Sequence, residues 1–128
     1  MYSDREWVKA ISKLTRLTIE RKVVWELIDD YPLSDTRRLD RAFRTTQEGK
    51  TYIVFSFEQQ LWTDEETYVW DDRYGFDIWQ ASVINTMEYR IASSPSVAAI
   101  NNLFKSVEGQ FAQDQNALGF LLTDDDDA

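Results

Sequence analysis

The chain predicts an α+β domain, in which an antiparallel five-stranded meander sheet packs against three helices in the order α-β-β-β-β-β-α-α. Three observations predict it. An amphipathic helical stripe behind a capping box opens the sequence, a strongly alternating segment with a glycine turn occupies the middle, and helical apolar spacing returns in the last third.

Ser3-Asp4-Arg5-Glu6 has the form of a capping box, in which the serine hydroxyl and the glutamate satisfy each other's backbone N–H groups. Trp7, Val8, Ile11, Leu14 and Leu17 then recur on one helical face, with Thr18 partly joining them, and Lys9, Lys13 and Arg16 recur on another. The spacing predicts a helix over 4–19 with a basic outer side. That side is read first as a solvated face and, more sharply, as a dock for an acidic partner. Arg21-Lys22 forms a connector, and the β-branched and aromatic run from Val23 to Ile28 predicts a buried strand. Pro32 ends it, leaving a polar loop over 29–37.

Residues 39–46 and 51–61 flank Gln47-Glu48-Gly49-Lys50, the clearest hairpin signal in the chain. Ile53, Phe55 and Phe57 share one face of the second arm, and Tyr52, Val54 and Ser56 the other, which predicts a central strand. Residues 67–70 and 76–79 predict a fourth and a fifth strand around a turn at Asp72-Arg73-Tyr74-Gly75. Val83, Ile84, Met87 and Ile91 predict a helix over 81–93. Ser94-Pro95 then restarts a third helix carrying Val97, Ile100, Leu103, Phe104, Val107 and Phe111. One domain is expected over 1–117. Beyond it, 118–128 is an apolar and then acidic tail, mobile at its end, whose apolar part is expected to pack back on the domain.

The 128 residues suit one domain, and the absence of Cys and His narrows the chemistry. Disulfides, thiolate or imidazole metal sites, a cysteine nucleophile and a Ser-His relay are all excluded. No enzyme, cofactor or metal is expected. Neither a signal peptide nor a membrane span is seen, so a cytoplasmic location without membrane partners is the expectation. The net charge of −9 disfavours nucleic acid. It is unevenly spread. Residues 1–50 hold 11 Lys/Arg and 9 Asp/Glu, a net +2, whereas 51–128 hold 3 and 14, a net −11.

A helix with Leu14, Leu17 and Thr18, a short basic link, and then Val23-Val24-Trp25-Glu26 resembles a group of small bacterial α+β proteins without assigned function. The resemblance spans about residues 7–107, with Glu48-Gly49-Lys50 and Asp72-Arg73-Tyr74-Gly75 as the glycine turns of two hairpins. It implies the same fold and brings no catalytic residues with it.

Two constellations stand out. Trp62, Tyr68, Trp70, Tyr74 and Trp79 gather around the last predicted hairpin with Asp64, Glu65, Glu66, Asp71, Asp72 and Asp77. Most of the aromatic residues are expected in the core, but strand alternation turns some of them outward. Aromatic side chains flanked by acids suit a protein interface, so Trp70, Asp72, Tyr74, Asp77 and Trp79 are the candidate partner-binding residues. The acids lack calcium-loop spacing. The function expected is a non-enzymatic interaction module, such as an adaptor, inhibitor or immunity-type protein of bacterial or phage kind. Its partner would be a protein or a second copy, the latter through a face with Tyr52, Val54 and Trp79. The second constellation is the basic run Arg37, Arg38, Arg41 and Arg44. It supports the alternative of a small anionic ligand or nucleotide binder using Arg41 and Arg44 with aromatic residues. A carboxylate hydrolase with a divalent metal ranks last.

Overall fold

The structure, a computed structural model, describes residues 1–85 and 87–123. Helix α1 spans Asp4–Ile19, and the capping box is present, with Glu6 N–H donating to Ser3 Oγ at 3.2 Å and Ser3 N–H donating to Glu6 Oε1 at 3.0 Å. Five strands follow: β1 Glu26–Ile28, β2 Arg37–Gln47, β3 Lys50–Trp62, β4 Tyr68–Ala81 and β5 Glu88–Ser93. Helix α2 spans Ala99–Asp114, and a 3-10 turn covers Phe120–Leu122. The sheet is an antiparallel meander in the order β1-β2-β3-β4-β5, as predicted, because short links favour neighbours in sequence as neighbours in space.

The helix layer differs from expectation. Among the described residues two α-helices are present rather than three, because Ala81 ends β4 and 88–93 forms β5 where a helix was expected. The apolar spacing in that segment fits a helix, but short polar side chains hold the turn. Ser82 Oγ accepts from Ile84 N–H, Asn85 Oδ1 accepts from Met87 N–H at 2.9 Å, and Ser82 N–H donates to the Met87 carbonyl. Val83, Ile84 and Met87 are left exposed. The predicted fourth and fifth strands are one continuous strand. Gly75 makes no turn; it faces the Phe55 ring, which fills the space a Cβ would need. Ser94-Pro95 does not start a helix either. Ser94 N–H donates to the Phe76 carbonyl at 2.8 Å, which ties the chain to the sheet, and α2 begins at Ala99 without a side-chain cap. The predicted strand over 23–28 shortens to β1, since Val23 and Trp25 are buried under the helices.

The core lies on both faces of the sheet. On the helix face, Trp7, Ile11 and Leu14 of α1 and Ile100, Leu103, Phe104 and Val107 of α2 enclose Phe43, Val54 and Phe76. On the opposite face, the loop 29–36 lies as a strap over Ala42, Ile53, Phe55 and Phe57, with Tyr31 buried beneath it. This is why both sides of β3 are apolar. The strap also overturns the expected self-association face, because Tyr52 and Val54 lie on the helix side of the sheet and Trp79 on the strap side. At the other end of the chain, Leu118, Phe120, Leu121 and Leu122 are exposed rather than packed back. The aspartate run 124–127 lies outside the described residues.

Candidate protein-interaction surface

The β3–β4 hairpin is longer than the layer that covers it. Tyr74, packed on Phe104 at 5.0 Å between ring centroids, is the last β4 side chain tied to α2 by a ring contact. From there outward burial falls steadily, through half-buried residues 58–60 to exposed residues 61–69. The side chains that share the helix face of this projecting end are Trp62, Tyr68 and Trp70. Their rings form a ladder, with centroids 4.9 Å apart for Trp62–Tyr68 and 5.9 Å for Tyr68–Trp70. The Arg38 guanidinium closes the ladder 3.7 Å above the Trp70 ring while donating to Glu58 at 3.0 Å. Cation–π contacts of this exposed kind contribute about 0.5–1 kcal/mol. The reverse side of the tip carries Leu61 opposite Val69, both exposed.

One edge of this hairpin is open. β5 pairs only with residues 77–81 of β4, and Ser94 takes the Phe76 carbonyl. Among the described residues, no strand pairs with the outer edge of β4 over 68–73. The phase of the ladder fixes which groups point there. Thr63 N–H donates to the Thr67 carbonyl at 2.8 Å, which marks 63 and 67 as a hydrogen-bonded position of the ladder. Alternation along an antiparallel pair then turns the backbone N–H and C=O of Tyr68, Trp70 and Asp72 away from β3. Two of the three, Tyr68 and Trp70, carry rings of the ladder. Unpaired backbone groups thus recur at three alternate positions, and rings coincide with them at two, exposed Tyr68 and half-buried Trp70.

The hairpin is also acidic. Glu58, Asp64, Glu65, Glu66, Asp71 and Asp72 are its charged residues between 58 and 72, with no cation in that span. Asp64 organises the tip: its carboxylate accepts from the N–H groups of Glu66 and Thr67, each at 2.8 Å. Those backbone donors, Glu66 foremost, hold the Asp64 carboxyl below its ordinary range. Asp71 pairs with Arg73 at 2.9 Å. No three His, Cys, Asp or Glu side chains converge among the described residues.

The five sequence-predicted partner residues do not form one surface. Trp70, Asp72 and Tyr74 lie on the helix face, whereas Asp77 and Trp79 lie on the strap face, because odd and even positions of a strand point oppositely. Asp77 is buried at 4% exposure and accepts from Ser93 Oγ at 2.6 Å and from the Tyr31 hydroxyl, with Arg90 at 3.7 Å. Trp79 Nε1–H donates to the Tyr31 hydroxyl at 2.8 Å. These two residues latch the strap to the sheet. Trp62 and Tyr68 lie outside the sequence-predicted binding set, although the acidic run after Trp62 signals their exposure on a projecting tip. Asp77 as a buried carboxylate had a weaker signal, its position between Phe76 and Ile78 in an apolar strand.

Arg41 and Arg44 do not converge. A β-bulge between Leu39 and Arg41 shifts the strand phase, so Arg38 and Arg41 share the helix face and Arg37 and Arg44 the other. Sequence alternation alone paired Arg38 with Arg44 and Arg37 with Arg41. Each candidate ligand arginine meets its own carboxylate, Arg41 with Glu108 at 3.3 Å and Arg44 with Glu26 at 2.6 Å. No helix among the described residues is long and apolar enough to cross a membrane. No family model, curated protein or solved structure shows significant similarity to the chain.

Proposed function

We propose that the protein is a non-enzymatic interaction module of adaptor, inhibitor or immunity type, and that it takes an extended segment of a partner protein as an added strand along the outer edge of β4. The observation that carries this reading is the run of unpaired backbone groups at Tyr68, Trp70 and Asp72, two of which, exposed Tyr68 and half-buried Trp70, also carry rings of the ladder. Strand addition draws its affinity from main-chain hydrogen bonds and its selectivity from alternate side chains. Here two of the alternate side chains, Tyr68 and Trp70, are aromatic, and the six carboxylates of the hairpin, Asp72 among them, favour a segment that carries both apolar and basic residues. Open edges of this length are usually blunted by charge or covered. Asp71 and Asp72 disfavour pairing with a second copy of the same acidic edge, while leaving a basic partner free to pair.

The test uses peptides selected from a random displayed library on the immobilised protein. Basic, apolar, extended binders are expected, and amide exchange at Tyr68, Trp70 and Asp72 should slow when they bind. Asp72→Pro removes one outward N–H at an edge position where proline is tolerated. It should lower affinity at least about tenfold, comparable to a buried hydrogen bond plus its neighbours, with circular dichroism unchanged. Binding that is indifferent to Asp72→Pro and to Trp70→Ala would reject this edge.

A further inference from the structure

A second surface of opposite character lies on the far side of the helix layer. The flank of α1 and the sheet end at β3–β5 enclose a groove of about 1040 Å³. Its floor is apolar, formed by Ala10, Tyr52, Ile78, Ile91 and Ala92, and its rim carries Lys9, Lys13, Arg16 and Lys50 against a single carboxylate, Glu6. Among the described residues none of these four cations is in an ion pair; Arg5, Arg37 and Lys105 elsewhere also have none, whereas Arg21, Lys22, Arg38, Arg41, Arg44, Arg73 and Arg90 all have carboxylate partners. In a chain of net charge −9, four cations without an ion pair among the described residues, gathered around one apolar groove, form a local field of the wrong sign for the rest of the surface.

The chain itself contains a segment of complementary chemistry. Leu118, Phe120, Leu121 and Leu122 are exposed, Phe120 at 85%, and Asp124, Asp125, Asp126 and Asp127 follow in sequence. Besides Gly119 N–H, which donates to the Asn116 carbonyl at 3.0 Å, the hydrogen bonds of the described part of this segment lie within it. Leu122 N–H donates to the Leu118 carbonyl at 2.9 Å, and Thr123 Oγ1 donates to the Gly119 carbonyl at 2.8 Å. It leaves α2 beside Asp114, which Arg21 holds at 2.8 Å beyond the end of α1. Its own apolar side chains do not reach the groove, which α1 separates from α2.

We infer that the groove receives the apolar-then-acidic segment 118–127 of a second copy of this chain, so that the protein self-associates through reciprocal segment exchange. Phe120, Leu121 and Leu122 of one copy enter the apolar floor, and the following aspartates meet Lys9, Lys13, Arg16 and Lys50 of the other. The match is of number as well as sign, four carboxylates to four ammonium or guanidinium groups. Exchange removes from water the most exposed apolar side chains of the segment and the floor of the groove together. A two-fold arrangement lets each copy both give and receive.

Sedimentation of the full chain over a range of concentrations tests this. A dimer is expected whose dissociation constant rises with salt, because the rim contacts are screened. Lys9→Glu with Lys13→Glu, and separately Phe120→Ser with Leu121→Ser, should each weaken dimerisation at least about tenfold, since the first reverses attraction and the second removes apolar burial. Both pairs of positions are exposed, so the fold should persist by circular dichroism. Mixing the two variants restores one productive contact and should yield a heterodimer that neither forms alone. A monomer at every concentration, a dimer indifferent to both variants, or segment 118–127 docking in its own copy's groove would each overturn the inference.

Discussion

The hydroxyl of Tyr31 donates to the Asp77 carboxylate and accepts from the Trp79 indole N–H. Burial first, and then the Asp77 carboxylate, push its ionisation well above the ordinary phenol range. The unfolded phenol titrates near about 10. Above that pH the unfolded chain releases a proton that the folded chain keeps, so stability that is fully present below about pH 10 declines as pH rises further. Tyr31→Phe is expected to cost about 1–3 kcal/mol at neutral pH, because Asp77 and Trp79 lose a buried partner. It should also flatten the alkaline decline. Urea unfolding at neutral pH and at about pH 11 measures both effects, and Tyr52, whose ionisation burial and Glu48 also raise, contributes to the decline in the same direction. The sequence made Tyr31 one of the residues of a polar loop. Nothing local marks it as buried, since its partners stand more than 40 positions away.

The β2–β3 hairpin is the element most fully written in its own residues. Glu48 and Gly49 are its two turn residues, both with positive φ, at 53° and 80°. That is the turn whose twist matches the flanking strands. Glycine adopts the conformation freely and glutamate does not. Glu48→Asn is therefore expected to raise stability by about 0.5–1 kcal/mol through better tolerance of the left-handed region, read as a higher urea midpoint with unchanged slope. An unchanged or lower midpoint would show that Glu48 contributes elsewhere. Helix α1 was equally legible, because its cap and its stripe are local. The segment 81–93 was not. Helical spacing of four apolar residues competes there with pairing of β5 to β4, and register with a distant strand is a property no short window contains.

At the scale of the whole molecule, Gln110 joins parts that are far apart in the chain. Its side-chain oxygen accepts from Trp25 N–H at 2.9 Å, and its amide nitrogen donates to the carbonyls of Val23 at 2.8 Å and Thr18 at 3.2 Å. Helix α2 is thereby tied to the end of α1 and to the connector that enters β1. Gln110→Ala strands these backbone groups inside the core and is expected to cost about 1–3 kcal/mol, more if more than one stays unpaired. Thermal unfolding should remain a single transition at a lower midpoint. An unshifted midpoint would mean that the connector is held by its other ties, the Trp25 indole N–H to Thr18 Oγ1 at 2.9 Å and Arg21 to Asp114 at 2.8 Å among them.

Composition, the capping box, the glycine turn and the alternation of β3 determined the fold class, the first helix, the central hairpin and the antiparallel order of the sheet, because each rests on contacts within a few residues or between neighbours in sequence. Alternation also put Tyr68 with Trp70, and Asp77 with Trp79, on shared faces, but that these two pairs lie on opposite sides of one strand emerged only once 68–81 proved continuous. Which side lies under helices, how far the hairpin outruns them, where a bulge reverses the phase of the arginines and which edge stays unpaired were decided only by the tertiary structure. Those are outcomes of length and registry between separate elements, and of the strap 29–36 and the two helices competing for the same sheet. A strand's faces follow from its own residues, but what covers them depends on the rest of the chain.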